Sequence, residues 1–177
     1  MTPHDYTIDI REATPADAAA LTAFAELTFR DAFTAQNRPE DIEEYVAATY
    51  SLDLQRAELA DPTRVALVAE VGDAFAAYAQ LRSGDTPACV SGPAPIELLR
   101  FYVDRSWHGR GLAQQLMAEV VAAAESRRAR TLWLGVWEHN PRAIAFYTRS
   151  GFRDVGCQGF VLGTDYQTDR IMMRPLG

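Results

Sequence analysis

Two short stretches of the chain concentrate the residues able to do chemistry. In the first, Leu98 to Ala113, an apolar run ends in Phe101-Tyr102-Val103, a short loop follows, and His108-Gly109-Arg110-Gly111 opens a segment whose Leu112, Leu116, Val120 and Ala123 recur at helical spacing. At the start of such a helix several backbone N–H groups have no intrahelical acceptor and point along the positive end of the helix dipole. Glycines remove the Cβ atoms that would block an approaching oxyanion, so the stretch suits a phosphate. A turn that only joins strand to helix would carry the same glycines. Two familiar phosphate loops do not fit. The Walker A pattern needs a Gly-Lys-Ser/Thr ending, and all 17 basic residues are arginine. A dinucleotide loop needs three glycines after the first strand; here the loop follows the fourth predicted strand, and position 113 is Ala. The second stretch runs from Trp133 through Asn140, Pro141 and Tyr147 to Gly151-Phe152. Asn140 before Pro141 reads as a helix N-cap, and Gly151 as a left-handed C-cap. Cys157 has no motif histidine near it and reads as a small buried thiol. His4 lies in the terminal segment, where fraying is the rule.

The elements that must position these residues follow from periodicity. Thr7–Glu12 reads as a strand. Thr14-Pro15 opens a helix to about Phe33, Asn37 with Pro39 a second containing Ile42, Tyr45 and Val46, and Ser51 a third through Leu59. Strands are predicted over 64–71 and 75–81 around Gly72-Asp73, then over 96–103, 132–136, 152–162 and 167–173. Helices are predicted over 111–127 and 141–150, and 83–95 is a loop. The order β-α-α-α-β-β-β-α-β-α-β-β is that of a mixed α/β domain with a strand–helix–strand crossover after Val103. The length of 177 residues suits one domain, 1–177. No apolar run reaches the ~18 residues of a membrane span, and the first ten residues lack a secretory pattern. Two cysteines make neither a disulfide framework nor a metal site. A reducing, cytoplasmic location is the default. The formal net charge is −7, and it is unevenly spread: residues 1–88 carry −10 and residues 89–177 carry +3. No basic patch with interleaved aromatics points to nucleic acid.

The first stretch resembles the acyl-CoA loop of the GNAT superfamily of N-acetyltransferases, whose pattern is Gln/Arg-x-x-Gly-x-Gly/Ala. Here it reads His108-Gly109-Arg110-Gly111-Leu112-Ala113, with His108 departing from the family's first residue. The second stretch resembles the family's Asn-x-x-Ala-x-x-Phe-Tyr followed by Gly-Phe, at Asn140, Ala143, Phe146, Tyr147, Gly151 and Phe152. The likeness covers about residues 64–173; the first 60 match in pattern of elements only. Gly135-Val136-Trp137-Glu138 and the ending Gly163 to Met172 look like the PaiA-like polyamine (spermidine/spermine) acetyltransferase group.

The resemblance implies a central, mostly antiparallel sheet of six to seven strands flanked by helices, with a β-α-β acyl-CoA unit in 96–152 and acceptor-side helices in 1–63. It implies acetyl transfer from acetyl-CoA, without metal, to a small-molecule amine, by direct attack in a ternary complex. The amides of Gly109, Arg110, Gly111, Leu112 and Ala113 would take the pyrophosphate, His108 would lie on the donor side, and main-chain groups around Tyr102, at Phe101 and Val103, would line the pantetheine arm. Arg105 and Arg110 are candidate phosphate charges. Asn140 would hold a pantetheine amide or cap its helix. Tyr147 would protonate the leaving sulfur, and Glu97 would act as base through water. The acidic first half, with Glu26, Asp31, Glu43 and Glu44, suits a cationic acceptor such as a polyamine. A protein N-terminus, an amino acid or an antibiotic amine remain open as acceptors, as does a non-catalytic acyl-CoA-binding regulator. A homodimer through the closing strands is a family expectation.

Overall fold

A computed structural model describes residues 7–177; His4 lies outside them. The elements are β1 (Ile8–Glu12), α1 (Ala18–Phe33), α2 (Pro39–Thr49), α3 (Leu52–Ala60), β2 (Arg64–Val71), β3 (Ala74–Arg82), β4 (Pro95–Val103), α4 (Leu112–Ser126), β5 (Thr131–Trp137), α5 (Pro141–Arg149), β6 (Arg153–Leu162) and β7 (Asp165–Pro175). The seven strands form one sheet in the order β1-β2-β3-β4-β5-β7-β6. Every neighbouring pair is antiparallel except β4 with β5, which α4 joins as a crossover.

The predicted elements form within a residue or two of their expected ends. Ser51 caps α3 by accepting from the Leu54 amide at 3.2 Å, and Gly151 takes φ 87° after α5. Two boundaries differ. Pro15–Asp17 is a single tight turn before α1, because Asp17 is held by the Thr14 amide at 2.7 Å and by Arg11. Asn37 does not cap α2; its side chain donates back to the Phe33 carbonyl at 2.8 Å and closes α1.

Strand alternation sends side chains to two faces. One face packs on α4 and α5 through Leu81, Leu98, Leu116, Val120, Leu134 and Met172. The other packs on α1 and α2 through Leu21, Phe24, Ile42, Val46, Tyr78 and Leu162. Asp41 pins α2 to the β6–β7 turn: buried, it accepts from the Thr164 amide at 2.7 Å and hydroxyl at 2.8 Å. These bonds hold its carboxyl below the usual carboxylate range. A polar knot ties α3 to the sheet. Glu58 receives Arg100 at 2.6 and 3.1 Å and Arg64 at 3.1 Å, and Gln80 bonds both Glu58 and Arg100. Among the described residues no helix is long and apolar enough to cross a membrane.

Candidate active site

The site begins where β4 and β5 part. They pair only from Pro95–Thr131 to Glu97–Trp133. Beyond that, β4 stays with β3 as far as Val103 and β5 stays with β7 as far as Trp137. The break coincides with a bulge: Leu81 faces Leu98 and Gln80 faces Arg100, so Leu99 is the extra residue on β4. A bulge bends its strand and sharpens the local twist, and here it opens a gap between two strand edges.

Which main-chain groups face that gap follows from the period of two. The Asp104 amide bonds the Ala76 carbonyl at 2.9 Å, toward β3. Main-chain groups of Phe101 and Val103 therefore point the other way, into the gap. On β5 the Glu138 amide bonds the Thr168 carbonyl at 3.1 Å, so Gly135 and Trp137 direct theirs into the gap from the opposite side. Gly135 is the exposed residue of an otherwise covered strand: open space reaches the middle of the sheet there.

The α4 N-terminus lies at the mouth of this gap. Gly109 and Gly111 have φ of 75° and 83°, a conformation costly for any side chain. The bond into α4 from Gln115 to the Gly111 carbonyl is 3.2 Å, and amides before it have no helical acceptor. No atom lies within 4 Å of where a Cβ on either glycine would be, so space around the loop is open as well as polar. His108, though exposed, donates through Nε2 to the Val103 carbonyl at 2.9 Å and ties the loop to the strand end. Arg110 lies over the Trp107 ring at 5.5 Å. Arg105 reaches instead to the Asp31 carbonyl at 3.2 Å, bracing the loop against α1.

Tyr147 projects from α5 among Phe101, Phe146 and Phe152, with ring centroids 6.2, 5.5 and 5.7 Å away. Burial alone pushes its phenol up, with no neighbouring charge to oppose it. Asn140 caps α5 by accepting from the Ala143 amide at 3.1 Å. Glu97 lies on the face shared with Arg82, at the last residue of the β4–β5 pairing. One of its oxygens takes two Arg82 donors, at 2.6 and 2.9 Å. Burial nonetheless raises its pKa, more than the arginine lowers it. Of the four N-terminal acids, Glu26 and Glu43 both grip Arg30, while Asp31 and Glu44 are exposed. Cys157 is exposed, not buried: it stands on β6, the edge strand of the sheet, across from the partly exposed Arg170. Cys89 is half-buried against Trp133 and Val155.

One residue inside the Gly163–Met172 stretch is given no role by the motif. Asp169 on β7 sits directly across from Trp137 of β5 and from Gln158 of β6. Its carboxylate overhangs Gly135, with Oδ2 3.2 Å from where a Cβ would stand. Burial lifts its pKa to about 6, and no partner offsets that.

Comparison with known proteins points to one family. The model of the acetyltransferase (GNAT) family matches residues 25–152. The chain is 36% identical over 160 residues to an uncharacterized N-acetyltransferase of Mycobacterium tuberculosis, covering 90% of this chain and 98% of that one. It is 31% identical over 169 residues to an uncharacterized N-acetyltransferase of Lactobacillus delbrueckii, covering 96% and 98%. A shorter likeness, 27% over 82 residues, relates it to the spermine/spermidine N(1)-acetyltransferase of Bacillus subtilis, over 46% of this chain and 50% of that one. In fold it is similar to the PaiA N-acetyltransferase of Thermoplasma acidophilum in complex with coenzyme A, with a TM-score of 0.77 at 18% identity, over 96% of this chain and 99% of that one.

Proposed function

The chain belongs to the acetyltransferase (GNAT) family and is an acetyl-CoA-dependent N-acetyltransferase, and from that premise we propose that it acetylates the primary amine of a small cationic molecule, with a polyamine as the leading acceptor. The observation that carries the reading is the gap between β4 and β5, open on both edges and ending at the uncapped N-terminus of α4. A gap of this kind accepts an extended, amide-bearing arm as though it were a further strand, while the helix end favours a phosphate. The fit to acetyl-CoA is therefore physical: main-chain groups of Phe101 and Val103 for the arm, and the amides of Gly109 to Ala113 for the pyrophosphate. Acetyl-CoA supplies the activated acetyl thioester.

The chain's own residues do the rest. Tyr147 stays protonated across the working pH range, which suits it to give its proton to the leaving sulfur. Asn140 holds α5 in register so that Tyr147 faces Phe101. His108 keeps the phosphate loop docked on the end of β4. Glu97, the base that the resemblance offers, is held by Arg82 through one of its oxygens. Two observations support a cationic acceptor: the −10 charge of residues 1–88 and the partial likeness to a spermine/spermidine acetyltransferase.

The test is thiol release from acetyl-CoA by purified protein with spermidine, spermine, amino acids, aminoglycosides and N-terminal peptides. Preferred release with the polyamines supports the reading. Preferred release with another amine removes the polyamine assignment and keeps the enzyme class.

A further inference from the structure

The gap has two faces, and the residues described above as donor-side account for only one. Phe101, Tyr147 and the α4 loop belong to the face that carries α4 and α5. On the opposite face the sheet presents Trp137 and Gly135 from β5, Asp169 from β7 and Gln158 from β6. Over them lie Phe33 from α1, 6.2 Å from the Trp137 ring, and Tyr45 from α2. Tyr45 is close enough to Asp169 for that carboxylate to oppose its ionisation.

Among the described residues, Asp169 is a half-buried acid of this region with no bonded partner. Glu97 is held by Arg82 and Glu58 by Arg100 and Arg64. Glu26 and Glu43 share Arg30, and Asp154 takes Arg170 at 2.7 Å. Asp169 makes none of these pairs, although Arg170 is its chain neighbour, because alternation sends Arg170 to the other side of the sheet. A half-buried carboxylate left without a cation is costly. Glycine at 135 makes the arrangement possible: a Cβ there would press on Asp169 Oδ2 at 3.2 Å and Gln158 Nε2 at 3.4 Å. The result is a carboxylate beside exposed backbone, walled by aromatic rings whose faces also favour a cation.

We propose that Asp169 is the acceptor-side carboxylate of this acetyltransferase: it seats the primary ammonium group of the acceptor over Gly135, between Trp137 and Tyr45, and takes its proton during transfer. The proposal rests on the acetyltransferase reading but not on the acceptor's being a polyamine. In the step, the Asp169 carboxylate takes one proton from the ammonium and so frees the nitrogen lone pair. The nitrogen bonds to the acetyl carbonyl carbon, the C–S bond breaks, and the sulfur takes the phenol proton of Tyr147. The nitrogen's second proton passes to solvent, from which the Tyr147 phenolate recovers its own, and Asp169 releases its proton to solvent. The charged groups facing Asp169 are few. Tyr45 from α2 is neutral below its raised pKa, Gln158 and Trp137 carry no charge, and Arg100, which also acts on Tyr45, is engaged with Glu58.

The experiment compares the wild-type protein with Asp169→Asn, a change of similar size that removes the charge. For whichever panel amine turns over best, kcat/KM of the variant is expected to fall by about 100-fold or more. The acetyl-CoA Kd should stay within about twofold, and the limb of the wild-type pH profile near 6 should disappear. A variant within about threefold of wild type, with that limb intact, overturns the proposal. Should no panel amine turn over, a second readout applies. The carboxyl carbon-13 resonance of Asp169, identified by its absence in the variant, is followed while spermidine and alanine amide are each added with CoA present. A shift with either supports the ammonium seat, and no shift with both overturns it. A preference for alanine amide would remove the polyamine reading while keeping Asp169 in its role.

Discussion

Tyr147 and Asp169 are two ionisable groups whose pKa values are raised by the same cause, loss of water, and the consequences differ. For Tyr147 the raised value keeps a proton available at any working pH. Tyr147→Phe is predicted to lower kcat by about 100-fold while leaving the acetyl-CoA Kd within about twofold, measured by steady-state kinetics beside calorimetry. Its packing among three phenylalanines survives the change, so the melting temperature should hardly move. For Asp169 the folded pKa, about 6, lies above the ordinary 3.8. Between those values the folded state holds more protons than the unfolded one, so this group's contribution to stability falls as pH rises. Asp169→Asn should therefore melt higher than wild type at pH 7.5, and the difference should vanish toward pH 4. A lower melting point at pH 7.5 would mean that Asp169 has a cationic partner after all. Tyr147 was legible from its spacing after Asn140. Asp169 was not, because what sets it apart is the absence of a partner, which depends on strand pairings far along the chain.

At the scale of elements, local signals carried a long way. Hydrophobic periods together with turn and cap signals marked the helices and strands, and Pro39, Ser51, Pro141 and Gly151 marked ends that the structure places within a residue or two. Asn37 misled because an amide before Pro at the next position but one resembles a cap, yet its side chain had a nearer carbonyl behind it. The parting of β4 from β5 left no local trace. It follows from a bulge at Leu99, set by the register of β4 against β3 across the 83–95 loop. The α4 entrance, by contrast, was readable, since Gly111 needs a positive φ that few other residues adopt. Gly111→Ala should cost about 1–2 kcal/mol in urea unfolding. It should also weaken acetyl-CoA binding by about tenfold as the loop leaves that conformation. An unchanged Kd would separate the loop from the donor site.

Across the whole molecule, the sheet divides two kinds of surface. One face, with α4 and α5, presents oriented amides to an anionic donor. The other, under α1 to α3, carries aromatic rings and a carboxylate, which suit the cationic acceptor proposed above. The acidic first half and the basic second half of the chain follow this division. The acceptor face depends on the Glu58–Arg100 knot that fixes α3 to β3 and β4, both partners being largely buried. Glu58→Ala leaves the buried Arg100 guanidinium with Gln80 and the face of Tyr50 but no counter-charge, and should cost about 3 kcal/mol or more in the unfolding free energy. A loss below about 1 kcal/mol would show that the knot is no more than a surface pair. The central claim is that the donor enters between β4 and β5 with its phosphates on α4, leaving the opposite face for the amine. Backbone amide chemical shifts recorded while CoA is added test it most directly. The account predicts the largest changes at Gly109 to Gln114, with further changes at Phe101, Val103 and Gly135. Saturable CoA binding that leaves those amides unmoved would contradict it.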